Sequence, residues 1–212
     1  MERIRASAKA LFMQYGLRSV SMDDIAGNLG MSKKTIYQYF ADKDELVNAV
    51  VANMIDTNQT VCNADRSQAD NAVHEIFLAM DMVVDMFRYM NPSLLFDMQK
   101  YHPAAFGLFL KHKHDYLLGI ITDNLHRGIA EELYRSDIKV DLLARYRVET
   151  IIIPFNPEFY KSMDISFAEI EQELTYHFLF GIVSQKGYKL SLKYKQERLK
   201  KSVTTSNKKV HV

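Results

Sequence analysis

One stretch constrains the fold of this chain most: SMDDIAGNLGMSKKTIYQYFADK, which begins at Ser21. Ser21 can cap a helix and Asp24 can reach back to it, so a first short helix is expected over residues 22–29. Gly30 supplies the left-handed residue that ends this helix, and Ser32 can cap a second one directly afterwards. Two short helices with so tight a break are typical of a helix-turn-helix.

The second of these helices has two different sides. Ile36 and Phe40 are four residues apart and are expected to pack inward. The opposite side is basic, aromatic and amide-bearing, so it can offer charge to phosphates and hydrogen bonds to base edges. The alternative is a solvated basic face over a plain helical hairpin. The residues on this side are Lys33, Lys34, Tyr37 and Gln38.

A longer stretch resembles the DNA-binding domain of the tetracycline-repressor family of one-component transcription regulators: residues 3–48, RIRASAKALFMQYGLRSVSMDDIAGNLGMSKKTIYQYFADKDELVN. The resemblance lies in four motifs, which are LFMQYG at the end of a first helix, SMDDIA, SKKTIYQYF and DKDEL. It covers about a quarter of the chain. The remainder is similar to the family in length, in helical character and in a long penultimate helix.

The resemblance implies a role for each residue that matches the family's motif. Ser21 is expected to contact a phosphate. Base-edge contacts are expected of Lys33, Lys34 and Thr35, with Gln38 as a further candidate. The family often has glycine where this chain has Lys34, so a base contact there depends on a side chain. The predicted DNA-binding residues are completed by Ser32 and by Tyr37, Tyr39 and Lys43, the last three at the DNA backbone.

The bulk composition allows a sizeable core. At 212 residues and 48% hydrophobic, the chain is expected to form one small and one larger domain. No apolar run approaches the length of a transmembrane helix, and the opening MERIRASAK has no apolar signal core. A cytoplasmic protein without a membrane partner is therefore expected. Cys62 is the only cysteine, which excludes an intramolecular disulfide.

Charge is distributed unevenly, although the formal net charge is only +1. Residues 51–185 carry 11 Lys or Arg against 19 Asp or Glu, whereas residues 186–212 carry 9 against 1. The acidic middle is therefore not expected to touch DNA. The basic end from Lys189 has two interpretations, a frayed solvated tail or an arm that contacts DNA without sequence preference.

The pattern predicts an all-α chain with a head, a body and a tail. Residues 1–48 form the helix-turn-helix head of three helices, residues 49–200 a helical domain for ligand binding and dimerisation, and residues 201–212 the basic tail. Asp42 and Glu45 resemble a capping box and open a fourth helix. This helix is expected to run to about residue 60 and to link head and body.

The body is predicted to begin with a polar loop over residues 63–71, followed by a helix over 72–90 that is apolar almost all round. Two aspartates and an arginine form its polar stripe. Methionines and aromatic residues between Met80 and Met98 suggest an adaptable apolar cavity, and the alternative is an ordinary methionine-rich core. The predicted ligand-binding residues are Asp81, Met82, Asp85, Met86, Arg88 and Tyr89.

After a short helix opened by Asn91 and Pro92, three longer helices are expected, the first over residues 103–127 with Gly128 as its end. The second, over 142–153, and the third, opened by Ser166, have more apolar surface than one side of a monomer core needs. They are predicted to form a dimer interface, as the equivalent helices do in the resembled family. The predicted interface residues are Tyr146, Ile153, Leu174, Phe178, Gly181 and Ile182.

Motifs of catalysis are not found in the sequence. It contains no glycine-rich phosphate loop, no nucleophile elbow and no suggestive pair of carboxylates. On a helix, His112 and His114 would point about 200° apart, so they cannot share a metal ion without a third element. No enzyme, cofactor or metal site is therefore predicted.

The expected function is that of a homodimeric repressor that binds double-stranded DNA at a palindromic operator and is released by a small-molecule effector. The alternative is a helical ligand-binding protein or small enzyme in which the helix-turn-helix is only scaffold.

Overall fold

The computed structural model describes residues 1–88, 90–160 and 162–209. Within these ranges it does not describe the side chains of residues 157, 160 and 201–209. Every regular element in the described ranges is a helix. Within these ranges, extended backbone pairs only in one isolated bridge between Tyr134 and Val183. The all-α prediction is therefore confirmed. None of the described helices combines the length and the apolar composition that crossing a membrane requires.

The head consists of three helices, α1 (Glu2–Tyr15), α2 (Met22–Leu29) and α3 (Lys33–Tyr37). The capping box that opens α2 forms as predicted, since Ser21 Oγ accepts from the Asp24 backbone N–H and Asp24 accepts from the Ser21 N–H. Gly30 ends α2 at φ 62°, in the left-handed region. These local signals position α3 one tight turn beyond α2.

The fourth helix, α4 (Lys43–Gln68), is longer than predicted. Asp42 caps it through the backbone N–H of Glu45, at 2.8 Å. The helix continues through most of the predicted loop over 63–71, so that prediction is wrong for residues 63–68. Polar residues are compatible with a helix there because one face of this segment is exposed. At about 1.5 Å per residue, its 26 residues span about 39 Å.

The body contains eight further helices within the described ranges. The predicted single helix over 103–127 is interrupted by a π-helical turn, His112–Leu117, and Gly128 lies inside the final helix of that stretch rather than at its end. The body helices are α5 (Ala72–Phe87), α6 (Leu94–Tyr101), α7 (Pro103–Lys111), α8 (Leu118–Ala130), α9 (Val140–Thr150), α10 (Pro157–Tyr160), α11 (Phe167–Ile182) and α12 (Gln185–Lys209).

The last helix, α12, corrects the interpretation of a frayed end from Lys189. Ser191 is fully buried, and the Tyr194 ring stacks on His74 of α5 with centroids 4.9 Å apart. The basic residues up to Lys200 therefore belong to a packed helix. The side chains of the predicted tail, residues 201–212, lie outside the described residues.

Head and body share one continuous apolar core. Met98 and Ala105 of the body are buried in the same cluster as the head residues. At this junction the Asn91 backbone N–H donates to the Met13 carbonyl at 2.6 Å, and the Arg18 N–H donates to Asp97 at 3.2 Å. The head is thus held on the body by backbone hydrogen bonds as well as by apolar contact.

Candidate functional site

Helix α3 presents one side to the core and the other to solvent. Ile36 has no exposed area, and Phe40, just after the helix, is 3% exposed. Their burial fixes the rotation of the helix, so the predicted inward and outward sides agree with the structure. The exposed residues on and after α3 are Lys33, Lys34, Tyr37, Gln38 and Tyr39, while Thr35 is half-buried.

The hydroxyl groups beside α3 are engaged within the head. Ser32 Oγ accepts from the Thr35 backbone N–H at 3.1 Å and lies 2.8 Å from the Thr35 hydroxyl. Ser21 Oγ donates to Asp24 at 2.6 Å, and the hydrogen bonds from Ser21 hold the pKa of Asp24 below its usual value. Both serines therefore order the N-termini of the two helices that a DNA backbone would approach.

The three lysines of the predicted DNA-binding set have different surroundings. Lys33 Nζ lies 2.8 Å from Asp23 in an exposed pair, which exchanges readily for a phosphate contact. Lys34 has no ion-pair partner among the residues that the structure describes. Lys43 Nζ instead donates to the Leu17 carbonyl, and burial lowers its pKa. A phosphate contact by Lys43 stays a prediction and requires this internal hydrogen bond to break.

A cavity of about 240 Å³ lies in the body between α4, α5, α6, α8 and α11. Met82 and Met86 line it, as predicted for an adaptable apolar cavity. The lining otherwise consists mainly of aliphatic and aromatic side chains, which include Val51, Met54, Ile55, Ile76, Met80, Phe87, Met98, Phe109, Ile121 and Phe178. Such a lining suits a ligand with a large apolar part.

The polar stripe of α5 does not line the cavity, which corrects its predicted role in fixing a ligand. Asp81 pairs with Arg198 of α12, and Asp85 lies 2.7 Å from the exposed Arg88. The stripe faces outward because the apolar sides of α5 pack against α4, α8 and α11. The predicted ligand-binding residue Tyr89 lies outside the described residues.

Apart from Glu75 of α5, the polar groups that line the cavity come from other elements. Arg147 of α9 donates from Nη2 to Glu171 at 2.9 Å and to Thr175 at 2.8 Å, both on α11. Sequence reasoning missed this cluster. The available signal was an arginine and a glutamate in helices whose neighbouring positions are apolar, and only the packing of α9 on α11 brings the two together.

His112 and Asn58 form a second polar group in the lining. His112 Nε2 lies 3.0 Å from Asn58 Oδ1, and Nδ1 lies 3.3 Å from the Gln59 side-chain amide. Burial lowers the pKa of His112. The neutral ring satisfies both contacts, with Nε2–H as donor and Nδ1 as acceptor. Among the described residues, no three His, Cys, Asp or Glu side chains are arranged to hold a metal ion.

The predicted dimer-interface residues fall into two groups. Phe178 and Ile182 are 7% and 2% exposed and belong to the core of the same chain, so their assignment to a free face is corrected. Ile153 and Leu174 are half-buried. Tyr146 is 49% exposed, and Gly181 is exposed as well. The assignment of Phe178 and Ile182 to the interface was wrong because α11 has two apolar sides in the sequence. One of these sides is buried against other helices of the same chain and is not available to a partner.

Comparisons with known proteins agree with the geometry of the head. Residues 4–50 match the family model of the bacterial regulatory proteins of the tetR family. The chain is 26% identical to the uncharacterized HTH-type transcriptional regulator YvaF of Bacillus subtilis, over 74% of this chain and 82% of that protein. It is 23% identical to the HTH-type transcriptional repressor KstR2 of Mycobacterium tuberculosis, over 68% and 73%.

A solved structure shares the fold over most of the chain. It is a putative transcriptional regulator from Saccharomonospora viridis in complex with choline, with a TM-score of 0.68, 19% identity, and coverage of 87% of this chain and 97% of that one. The motif, the exposed side of α3 and the matching relatives agree. Residues 4–50 are therefore a DNA-binding domain of the tetR family of bacterial regulatory proteins, and the chain is a DNA-binding transcriptional regulator.

Proposed function

We propose that the protein is a homodimeric repressor that binds a palindromic operator and is released by a small molecule in the body cavity. The observation that carries the proposal is the double role of α4. Leu46 and Val47 of this helix are buried in the head core, whereas Asn58 and Cys62 line the cavity. A ligand that shifts the cavity end of α4 would therefore move the head.

The release step requires that the ligand distinguishes two states. A ligand that binds both equally shifts nothing, however tightly it binds. The effector must therefore favour a packing of the cavity in which the two α4 helices of the dimer hold the heads at a separation that does not match the operator.

The operator contacts are proposed on the exposed side of α3. Lys33, Lys34 and Thr35 reach base edges in the major groove, with Gln38 as a further candidate. The DNA backbone is contacted by Ser21, Ser32, Tyr37, Tyr39 and Lys43.

The dimer is proposed to form through α9, α11 and α12. Exposed apolar residues lie on these helices, including Leu142 at 61% and Tyr146 at 49% exposure. Tyr188 on α12 is also 49% exposed and packs against Phe180 of α11, with ring centroids 5.4 Å apart. A Cβ on Gly181 of α11 would meet no atom within 4 Å, which suits a close helix approach. Two heads related by a twofold axis then read half-sites about 34 Å apart.

The experiment that tests the proposal is selection of bound fragments from the genomic DNA of the source, followed by sequencing. The wild-type protein is expected to enrich a palindrome at about physiological salt. Lys34→Ala should lose enrichment, whereas Lys139→Ala, at an exposed body position, should keep it. DNA with the same palindrome then serves in an assay for release of the protein, in which the compounds tested are those that the products of the neighbouring genes act on or transport.

The alternative, a ligand-binding protein or small enzyme with an unused helix-turn-helix, predicts no enriched sequence at any salt concentration. The interpretation as a regulator is favoured because the matching family consists of bacterial regulatory proteins and the similar proteins are regulators of transcription. A non-enzymatic role is part of the same proposal.

A further inference from the structure

The polar groups of the cavity wall differ in how completely they are hydrogen-bonded. Glu75 accepts from Arg127 at 3.1 Å, and Asn124 donates to the Ala72 carbonyl at 3.0 Å. His112 is bonded through both ring nitrogens. These groups have partners within the chain, so they do not require a polar group on a ligand.

Arg147 is the exception in this wall. Its side chain is only 12% exposed, and its Nη1 is one of two buried side-chain nitrogen or oxygen atoms without a hydrogen-bond partner among the described residues. The other such atom, Nε of Arg5, belongs to the head. An unpaired buried donor is unfavourable, and a ligand that brings an acceptor removes that cost.

The charge of the guanidinium is already balanced. Glu171, 4% exposed, lies 2.9 Å from Nη2, and the Thr175 hydroxyl donates to the same carboxylate at 3.0 Å. A ligand carboxylate would add an uncompensated negative charge to an apolar cavity, which is strongly unfavourable. The acceptor that fits is therefore neutral, such as a carbonyl or ether oxygen.

The size of the cavity limits the rest of the ligand. A dry apolar cavity of about 150 Å³ holds one benzene molecule, so a cavity of about 240 Å³ holds about ten non-hydrogen atoms. The guanidinium carbon of Arg147 lies 5.9 Å from the centre of the Phe178 ring, and Met82 and Met86 are among the residues that line the cavity. The available space therefore suits a ligand with one polar group beside Arg147 and an otherwise apolar surface.

We propose that the effector is a small, uncharged and largely apolar molecule whose single acceptor oxygen binds Nη1 of Arg147. This inference rests on the proposed function, in which the cavity is the effector site. It adds the chemical class of the ligand and the side chain that selects it.

Calorimetric titration of the full-length protein tests the proposal with four probes of similar size. They are propiophenone, which has a neutral carbonyl, propylbenzene without an acceptor, anionic 3-phenylpropanoate, and cationic choline. Propiophenone is expected to bind, and the two ions are not. Tighter binding of either ion than of the ketone would overturn the proposal, and so would binding by none of the four.

A double variant tests the role of Arg147. Arg147→Met with Glu171→Leu removes both charges and leaves side chains of similar size. The affinity of propiophenone relative to propylbenzene should fall about tenfold. The matched control is Arg145→Met with Glu173→Leu, at exposed positions of the same two helices, and it should keep the wild-type ratio. An unchanged ratio in the first double variant would contradict the assignment.

A vibrational measurement on the wild-type protein covers the case in which the double variant does not fold. The carbonyl stretch of bound ¹³C-labelled propiophenone should lie at lower wavenumber than in hexane, because Nη1 donates to it. An unshifted stretch would overturn the proposal. Selective binding without any effect on operator affinity would instead leave this inference standing and contradict the proposed release mechanism.

Discussion

His112 Nε2 lies 3.0 Å from Asn58 Oδ1, so a single side-chain hydrogen bond joins the π-helical turn to α4 in the wall of the cavity. The second ring nitrogen, Nδ1, faces the amide group of Gln59 on the same helix. Protonation would place a second N–H against that amide donor. With the amide oriented in this way a neutral ring satisfies both contacts, in agreement with the lowered pKa that burial causes.

The first prediction concerns acid stability. Because the pKa of His112 is lower in the folded than in the unfolded state, the unfolded chain binds more protons as the pH falls through about 6.5. The free energy of unfolding should therefore decrease from pH 7.5 to 5.5. In His112→Gln this decrease should be smaller. Urea unfolding at both pH values measures it, and His126→Gln, at an exposed position of α8, should behave as the wild type.

The second prediction uses the only cysteine as a reporter. Cys62 lines the cavity, and burial raises the pKa of its thiol to about 11. At pH 8 its thiolate fraction is then on the order of a hundredfold below that of an ordinary cysteine. Iodoacetamide should label the folded protein slowly and the urea-unfolded protein at the ordinary rate. Equal rates in the two states would contradict this assignment.

The same labelling reaction reports on occupancy of the cavity. A ligand that fills the space beside Cys62 should slow the labelling further, because the reagent and the ligand compete for one cavity. Mass spectrometry of the single modified site gives the rate directly. A compound that binds without affecting the rate would bind elsewhere.

The head was predictable because its signals are local. Ser21 with Asp24 and Gly30 define the ends of α2, and Ser166 with Glu169 forms the same capping box at α11. Each depends on residues at most a few positions apart, so the chain needs no tertiary contact to specify them. The two sides of α3 follow likewise from the four-residue spacing of Ile36 and Phe40.

The polar lining of the cavity was not predictable in the same way. Arg147 and Glu171 are on different helices, and nothing within either helix indicates that they pair. Asp81 and Asp85 attracted attention because they stand out in an apolar helix, yet they face the outside of the body. Periodicity identifies a polar stripe, but the packing of neighbouring helices decides whether the stripe faces a cavity or solvent.

The third prediction separates two lysines of the predicted DNA-binding set. Lys34→Ala should weaken operator binding and reduce the slope of log affinity against log salt by about one, because one phosphate or base contact is lost. The unfolding free energy should not change, since Lys34 is exposed and has no ion-pair partner in the described part of the chain.

Lys43→Ala is expected to act on stability as well. The Leu17 carbonyl loses the donor that Lys43 supplies, and a lost hydrogen bond of this kind costs about 1 kcal/mol. If Lys43 also contacts phosphate, the salt slope falls as it does for Lys34→Ala. Fluorescence anisotropy over a salt series, combined with thermal unfolding, distinguishes the two effects. Unchanged binding would remove Lys43 from the DNA-binding set.

The fourth prediction concerns the dimer. Tyr146→Glu introduces a charge into the proposed interface and should raise the dimer dissociation constant at least about tenfold, as measured by sedimentation equilibrium. Tyr15→Glu is the control, because Tyr15 is 51% exposed and lies on α1 of the head. Equal dissociation constants for the two variants would exclude α9 from the interface.

The fifth prediction compares two glycines of α8. A Cβ on Gly128 would lie 2.0 Å from the ring of Tyr134. That ring cannot move aside easily, since Tyr134 is 2% exposed and its hydroxyl donates to the Ala72 carbonyl at 3.0 Å. Gly128→Ala should therefore lower the free energy of unfolding by about 1–3 kcal/mol, as overpacking of a core does.

Gly119 is the matched position in the same helix, because a Cβ there meets no atom within 4 Å. Gly119→Ala should raise the free energy of unfolding by about 0.5–1 kcal/mol, because alanine loses less conformational freedom in a helix than glycine does. Urea unfolding of both variants gives the comparison. If Gly128→Ala leaves the free energy of unfolding unchanged, α8 and Tyr134 pack less closely than the 2.0 Å distance indicates. The hydrogen bonds from Asn124 and Tyr134 that hold Ala72 at the start of α5 would then be looser as well.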